Sequence, residues 1–185
     1  TMSEPNTTPA EQPLTNEEGQ ISPIFILQQF ISTYCQENSV DEVPHANMLA
    51  AVKKIASDYS LDDGEVVMLL CNALITQADL EKDQPSPDDA VNQVAKFAFL
   101  FHRYVKKPKQ QKKLLAYINA LYKKNKKKLH FVPVMILQFY NEYLLDASVV
   151  RDWASKKQEK SSSFAIKLAT AVKPALDFFD ELEKQ

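Results

Sequence analysis

The sequence predicts an all-α protein. Glycine occurs only twice in 185 residues, whereas hairpins and sheets draw on glycine for their tight turns. Apolar residues recur at three- and four-residue spacing along most of the chain, which is the period of an amphipathic helix. Hydrophobic residues make up 45% of the chain, enough for the core of one ordinary domain. We therefore expect a stack of about eight antiparallel helices joined by short connections.

The domain boundary is predicted near residue 20. Residues 1–20 are rich in Thr, Pro, Asn, Glu and Gln and nearly lack large apolar side chains, a composition typical of a disordered tail or linker. The helical domain is expected to span residues 21–185 and to follow such a linker in a longer chain.

Proline and polar residues predict where the first three helices begin. Pro23 suits the first turn of helix one, and helix two is expected at Pro44–Tyr59. Ser60 and Asp63 have the spacing of a capping box and are expected to begin helix three. Helix three is apolar on most sides, which predicts a central position.

The next three helices follow the same signals. Helix four is expected at Pro87–Val105, with Asp88 and Asp89 in its positive first turn. Pro108 is expected to begin helix five. Helix six is predicted at Leu129–Leu145, with a proline tolerated near its first turn.

The last two helices contain the only tryptophan. Asp146 is a candidate N-cap for helix seven, because its side chain can accept a backbone N–H that has no helical partner. Helix seven carries Trp153. The serines at 161–163 are expected to begin helix eight, where Pro174 removes one hydrogen bond and should bend the axis.

Charge is distributed unevenly along the chain. Residues 1–89 carry 16 acidic and 3 basic side chains, residues 90–141 carry 12 basic and no acidic ones, and residues 142–185 carry 8 acidic and 7 basic ones. A basic block between two acidic regions predicts partners that are selected by charge.

Catalytic and metal-binding motifs are not evident. His45, His102 and His130 are far apart in sequence and have no nucleophile beside them. Cys35 and Cys71 lie in apolar helical patterns and are expected to be buried thiols in a reducing compartment. No apolar run of about 18 residues is present. We expect a cytoplasmic, monomeric domain that is not an enzyme, lacks cofactors and metals, and has no membrane contact.

Carboxylates surround aromatic residues at the C-terminal end. Such a surface suits lysine-rich peptides, because each ammonium is attracted to the acids while its methylene stem or charge lies on a ring. The alternative is that the rings belong to the core and the acids are only solvated. The predicted partner-binding residues of this surface are Glu142, Asp146, Asp152, Trp153, Asp177, Phe178, Asp180, Glu181 and Glu183.

The basic block places lysines at the two opposite ends of helix five, about 20 Å apart, which predicts either two patches or one stripe. They could contact RNA phosphates or an acidic protein partner, or they could be a solvated face. The predicted residues are Lys106, Lys107, Lys109, Lys112 and Lys113 in the first cluster, and Lys123, Lys124, Lys126, Lys127 and Lys128 in the second.

The C-terminal region resembles a known family. A tryptophan in a short acidic helix is followed by a Ser/Lys-rich connection and a final helix with Lys-Pro, an aromatic pair and acidic residues. This order resembles the W2 domain that closes eukaryotic translation initiation factor 5. The family's acidic and aromatic boxes match Glu142–Trp153 (EYLLDASVVRDW) and Lys173–Glu183 (KPALDFFDELE). Phe178 stands where the family usually has a second Trp, and the acidic tail is shorter.

The resemblance implies a HEAT-like solenoid of the W2/MIF4G type and a scaffold role in translation initiation. The acidic surface would bind lysine-rich segments of the initiation factor 2 beta subunit and an initiation factor 3 subunit. The basic face would bind initiation factor 1 and other preinitiation partners, whereas a ribosome or RNA contact is suggested by the lysines themselves. Two alternatives within the fold are the epsilon subunit of the nucleotide-exchange factor and a factor 5 mimic. A third alternative is an RNA-binding module that uses the basic block.

Overall fold

The computed structural model describes residues 19–37, 45–76 and 87–185, and within these ranges the chain is helical, with short connections and no β-strand. The predicted disordered tail lies almost entirely outside the described residues, as do Pro44 and the side chain of Cys35. Within the described ranges, no helix is both long enough and apolar enough to cross a membrane.

Nine α-helices are present in the described ranges, some extended by tighter or wider helical turns. A π-helical segment continues the third helix over Cys71–Thr76, and a 3₁₀ segment at Lys126–Phe131 precedes the seventh. The helices are α1 Pro23–Glu37, α2 His45–Asp58, α3 Asp63–Leu70, α4 Pro87–Lys96, α5 Ala98–Tyr104, α6 Pro108–Lys124, α7 Val132–Asn141, α8 Ala147–Gln158 and α9 Ser163–Leu182.

The turn between α2 and α3 corrects the predicted cap. Ser60 does not begin α3; it ends α2 in a left-handed conformation with φ 53°. The Leu61 N–H donates to the Ala56 carbonyl at 2.8 Å, which is the long bond of a Schellman C-cap. The N-cap of α3 is Asp62, which forms a reciprocal capping box with Glu65. The predicted Ser60–Asp63 capping box is therefore wrong, and the capping box of α3 is formed two residues further along the chain.

The predicted fourth helix is interrupted at Phe97. The backbone there departs from helical geometry (φ −106°, ψ 14°) and separates α4 from α5. The two halves pack on different neighbours, α4 against α7 and the π-helical segment and α5 mainly against α3. Because Phe97 is buried between them, the break lets each half place its apolar face on its own neighbour.

The predicted sixth helix also ends earlier than expected. After α7 the chain turns at Tyr143, which has φ 58°. Leu144 N–H donates to the Phe139 carbonyl at 2.8 Å and Tyr143 N–H to the Tyr140 carbonyl at 2.9 Å. These two bonds form a second Schellman cap, so residues 142–145 are a turn leading into α8 rather than helix.

The packing places α3 centrally, as its apolar sequence predicts. Residues on several sides of α3 are buried, and the helix contacts α1, α5 and α6. Further along the chain, α6 lies beside α8, and α7 packs against both α4 and α9. Phe139 of α7 meets Phe101 edge to face, with ring centroids 6.1 Å apart, and Tyr140 contacts Phe179 of α9 at 4.7 Å. These rings tie the C-terminal helices to the main core.

Candidate functional site

The first turns of α6 and α8 are joined by a reciprocal pair of hydrogen bonds. Gln111 Nε2 donates to Asp146 Oδ2 at 2.8 Å, and the Asp146 backbone N–H donates to Gln111 Oε1 at 2.9 Å. Asp146 is the N-cap residue of α8, as predicted, but its side chain makes no capping bond within α8. Its carboxylate is directed to α6 instead, and α6 and α8 therefore begin at the same end and run in the same direction.

Local sequence signals position α9. Ser162 is its N-cap, and Ser162 Oγ accepts the Ala165 backbone N–H at 3.2 Å, as the serine-rich connection predicts. Leu168, Val172 and Phe179 are fully buried on the side that faces α7 and α8. Pro174 lies inside the helix on its exposed side. The outer face of α9 is thus left to its polar residues.

The acidic residues of α9 are largely paired with cations of the same chain. Lys173 contacts Asp177 at 2.8 Å, one helical turn away. Arg151 of α8 bridges Glu183 at 2.7 Å and Asp180 at 2.9 Å. Hydrogen bonds to Glu183 and then Asp180 raise the pKa of the Arg151 guanidinium. Lys173 and the three carboxylates are largely solvent-exposed, and the Arg151 side chain is 32% exposed, so the pairs are weak and open to competition from another cation.

Glu181 differs from its neighbours because no cation pairs with it in the described part of the chain. Its exposed carboxylate is available to an incoming positive charge. The sequence analysis did not identify Arg151 as a site residue. Its position within the acidic box, on the surface of a helix, was nevertheless a signal that it would pair with nearby acids.

A groove of about 460 Å³ runs along the outer face of α9. Ile166, Ala169 and Leu176 contribute its apolar surface, and Ile166 is 52% exposed. Asp177 and Asp180 lie on the same groove. These residues recur every three or four positions along α9, so they share one helical stripe. The sequence analysis identified the two acids but missed Ile166 and the groove. The three- and four-residue spacing of these positions was the signal that could have identified Ile166 and the groove.

The two adjacent phenylalanines of α9 have different roles. Phe179 is 1% exposed and belongs to the core, whereas Phe178 is 37% exposed. The sequence analysis left open whether these rings belong to the core or to a partner-binding surface. The answer differs for the two rings, because neighbouring side chains on a helix point about 100° apart. Phe178 is the ring that a partner can reach.

Glu142 and Asp146 have partners away from α9. Gln138 Nε2 donates to Glu142 Oε1 at 2.9 Å within α7 and its C-cap, and Asp146 is held by Gln111. These two acids support the turn between α7 and α8.

Trp153 lies on the opposite side of α8 from the acids of α9. Arg151 and Trp153 are two residues apart, which places their side chains about 200° apart around a helix. Arg151 faces α9, whereas Trp153 lines a cleft of about 250 Å³ between α6 and α8. We call this the Trp153 cleft; it is lined by Lys112, Ala116, Asn119, Asp152, Trp153, Lys156 and Lys157. The predicted single acidic and aromatic surface is therefore wrong in this respect, because Asp152 and Trp153 lie among lysines.

Several contacts fix the geometry of the cleft. Lys157 Nζ lies 5.7 Å from the centroid of the Trp153 ring and donates to Asn119 Oδ1 at 2.8 Å. Lys156 pairs with Asp152 at 2.9 Å. That hydrogen bond is the main cause of a lowered pKa for the Asp152 carboxyl, and the charge of Lys112 adds to it.

The basic block is partly continuous along α6, and Lys112 of its first group lines this cleft. Lys112, Ala116, Asn119 and Lys123 follow one another at helical spacing along one stripe of α6. Burial lowers the pKa of the Lys157 ammonium, and repulsion from Lys160 and Lys123 lowers it further. Lysines of α6, of α8 and of the connection that follows α8 therefore lie close together on one face.

The remaining lysines lie around the ends of α6. Lys109 and Lys113 approach Asp62, whose pKa is lowered chiefly by the backbone N–H of Glu65 and additionally by these two lysines. Lys106 and Lys107 precede α6, and Lys124, Lys126, Lys127 and Lys128 follow along its end and the 3₁₀ segment. The helix between the two groups is about 25 Å long.

Other titratable groups do not assemble into a chemical centre within the described ranges. No group of three or more His, Cys, Asp or Glu residues there could hold a metal ion. His45 stacks on Phe99 and His130 contacts Phe131. Cys71 is fully buried, and burial raises the pKa of its thiol, which leaves it a packing residue.

A second apolar groove, of about 470 Å³, lies between α1 and α2. Ile26, Phe30 and Tyr34 line one side and Ala50 and Ala51 line the other. It is well separated in sequence from the C-terminal surfaces.

The chain matches no protein-family model and no curated protein.

Proposed function

We propose that the chain is a protein-interaction domain of translation initiation, resembling the C-terminal W2 domain of initiation factor 5. The order of the Trp-containing helix, the serine-rich connection and the Lys-Pro helix with its aromatic pair supports this assignment. A HEAT-like solenoid fits the packing, in which α6 and α8 lie side by side and α7 lies beside α9. In this proposal the domain works as a rigid scaffold and catalyses no reaction.

The observation that carries the proposal is the groove along α9. Its apolar surface can cover the methylene stem of a lysine, while Asp177 and Asp180 attract the ammonium. Glu181 adds an exposed carboxylate beside Asp180, whereas Phe178 is 37% exposed on a different side of α9. Lysine-rich segments, such as those of the initiation factor 2 beta subunit or an initiation factor 3 subunit, have the chemistry that this surface fits.

Binding there requires an exchange of cations. In the free domain, Lys173 pairs with Asp177 and Arg151 pairs with Asp180. Lysines of a partner would have to displace these cations or bind beside them in larger number. Because exposed ion pairs contribute at most about 1 kcal/mol each, this exchange costs little. Several lysines in one flexible segment gain from their combined charge, and their affinity should fall as salt rises.

The basic face gives the scaffold its second contact. The lysines of α6 and α8 lie on the opposite side of α8 from the acidic groove, so partners of opposite charge can be bound at the same time. Initiation factor 1 or another preinitiation partner would occupy this face.

Removing the acidic charge tests the proposal. We expect Asp177→Asn combined with Asp180→Asn to weaken binding of a lysine-rich peptide about tenfold, since tenfold corresponds to about 1.4 kcal/mol and two charge contacts are lost. Calorimetry at low salt measures this. The matched control is Asp58→Asn with Glu159→Gln, which removes the same charge from exposed sites elsewhere. Equal affinities for the two double variants would refute the groove as the binding site.

A further inference from the structure

We propose that the Trp153 cleft is a separate binding site for a carboxylate-rich segment of a protein partner. The site lies across α8 from the lysine-binding groove. It does not depend on the chain being a translation factor, because it follows from the charges and contacts of α6 and α8 alone.

The lysines around the cleft carry charge that the described part of the chain does not neutralise. The side chains of Lys112, Lys123 and Lys160 form no ion pair or hydrogen bond there. The ammonium of Lys157 has only a neutral amide and an aromatic ring as partners. Asp152 is the single acid of the cleft, and it is already paired with Lys156. Crowded like charges raise the free energy of the free domain, and an anionic partner would lower it.

Trp153 adds a hydrogen-bond donor to these charges. Its indole N–H has no acceptor among the residues that the structure describes. Carboxylate oxygens accept hydrogen bonds from ammonium groups and from indole N–H groups. A cleft of about 250 Å³ has room for one or two acidic side chains, which fits a short peptide segment that is anchored at Trp153 and held along the lysines.

A nucleic acid fits the cleft less well. Bases bind aromatic side chains by stacking on an open ring face. The Lys157 ammonium lies over the Trp153 ring, and the ring also packs against the hydrophobic core. Little ring surface is left for a base. The contacts therefore favour carboxylates over nucleotides as the anions that this face binds.

The fluorescence of the only tryptophan reports directly on the site. We expect a short glutamate-rich peptide to bind saturably, to shift Trp153 emission, and to bind more weakly as salt rises. Lys112→Gln combined with Lys160→Gln should weaken binding about tenfold. The matched control, Lys53→Gln with Lys167→Gln, removes the same charge from exposed sites on α2 and α9 and should change affinity less than about twofold. Circular dichroism checks that both variants remain helical.

Three results would overturn the proposal. The first is no saturable binding of the glutamate-rich peptide. The second is binding that leaves Trp153 emission unchanged and is equally affected by the two double variants. The third is tighter binding of an oligouridylate of equal charge through Lys112 and Lys160, which would assign the cleft to nucleic acid. None of these results bears on the lysine-rich peptide, so failure here is distinguishable from failure of the proposed function.

Discussion

Tyr143 has a backbone conformation that a β-carbon disfavours. Its φ of 58° lies in the left-handed region, and its side chain is 91% exposed. A non-glycine residue there costs about 1 kcal/mol, and an exposed ring recovers little of it through packing. The two capping hydrogen bonds of the turn fix this conformation nonetheless. The chain therefore stores backbone strain at the turn that leads into α8.

Replacing Tyr143 with glycine should stabilise the domain. We expect Tyr143→Gly to raise the free energy of unfolding by about 0.5–1 kcal/mol, because glycine adopts this conformation without strain, although it also makes the unfolded chain more flexible. Denaturant unfolding measures the change. Tyr143→Ala is the control, since it removes the ring but keeps the β-carbon. An alanine variant as stable as the glycine variant would contradict the strain argument.

Single residues also show which features of the site could not be predicted from the sequence. The sequence identifies Arg151, Asp152 and Trp153 as neighbours on one helix and predicts their angular spacing. It does not say which helix lies against each side of α8. That depends on the packing of α6 and α9, which places Arg151 among acids and Trp153 among lysines. The composition of the C-terminal surface was therefore predicted in part, and its division into two surfaces was not.

Several helix starts were predictable because their signals are local. Pro23, Pro87 and Pro108 each begin a helix, and Ser162 caps the last one. Helix ends and breaks were less predictable. Tyr143 and Ser60 carry Schellman caps without glycine, and the break at Phe97 follows from the two neighbours that α4 and α5 pack against. Those causes lie in the tertiary structure rather than in the segment itself.

The cap of α3 predicts how stability depends on acid. Backbone hydrogen bonding, chiefly from Glu65, lowers the pKa of Asp62 below its ordinary value of 3.8. A lowered folded pKa means that the stabilising contribution is present above about pH 4 and is lost as the pH falls through the folded value. Asn also caps helices well but does not titrate. We therefore expect Asp62→Asn to be less stable than the natural protein above about pH 4, and this difference to disappear as the pH falls below the folded pKa of Asp62.

Thermal unfolding followed at several pH values between about 2 and 7 checks this expectation. Asp63→Asn is a suitable comparison, because Asp63 is the neighbouring exposed acid in the first turn of α3 and is not its N-cap. An Asp62→Asn variant with the same acid dependence as the natural protein would rule out the cap as a source of it.

At the scale of the whole molecule, α8 separates two charged surfaces. The acids of α9 lie on one side, and the lysines of α6 and α8 lie on the other. The net charge of −2 conceals this division, because the opposite charges nearly cancel in sum while staying apart in space. Surfaces separated by more than the Debye length of about 8 Å act independently at physiological salt. A small helical domain can thus hold a basic and an acidic partner together.

The most direct test is a titration of the domain with a lysine-rich peptide, followed both by heat and by Trp153 emission at low and moderate salt. The account predicts saturable heat that weakens with salt, with little change in Trp153 emission, because the peptide binds the α9 groove on the far side of α8. The absence of saturable heat would contradict the proposed function. A large emission change that accompanies the heat would place the peptide at the Trp153 cleft and would contradict the division into two surfaces.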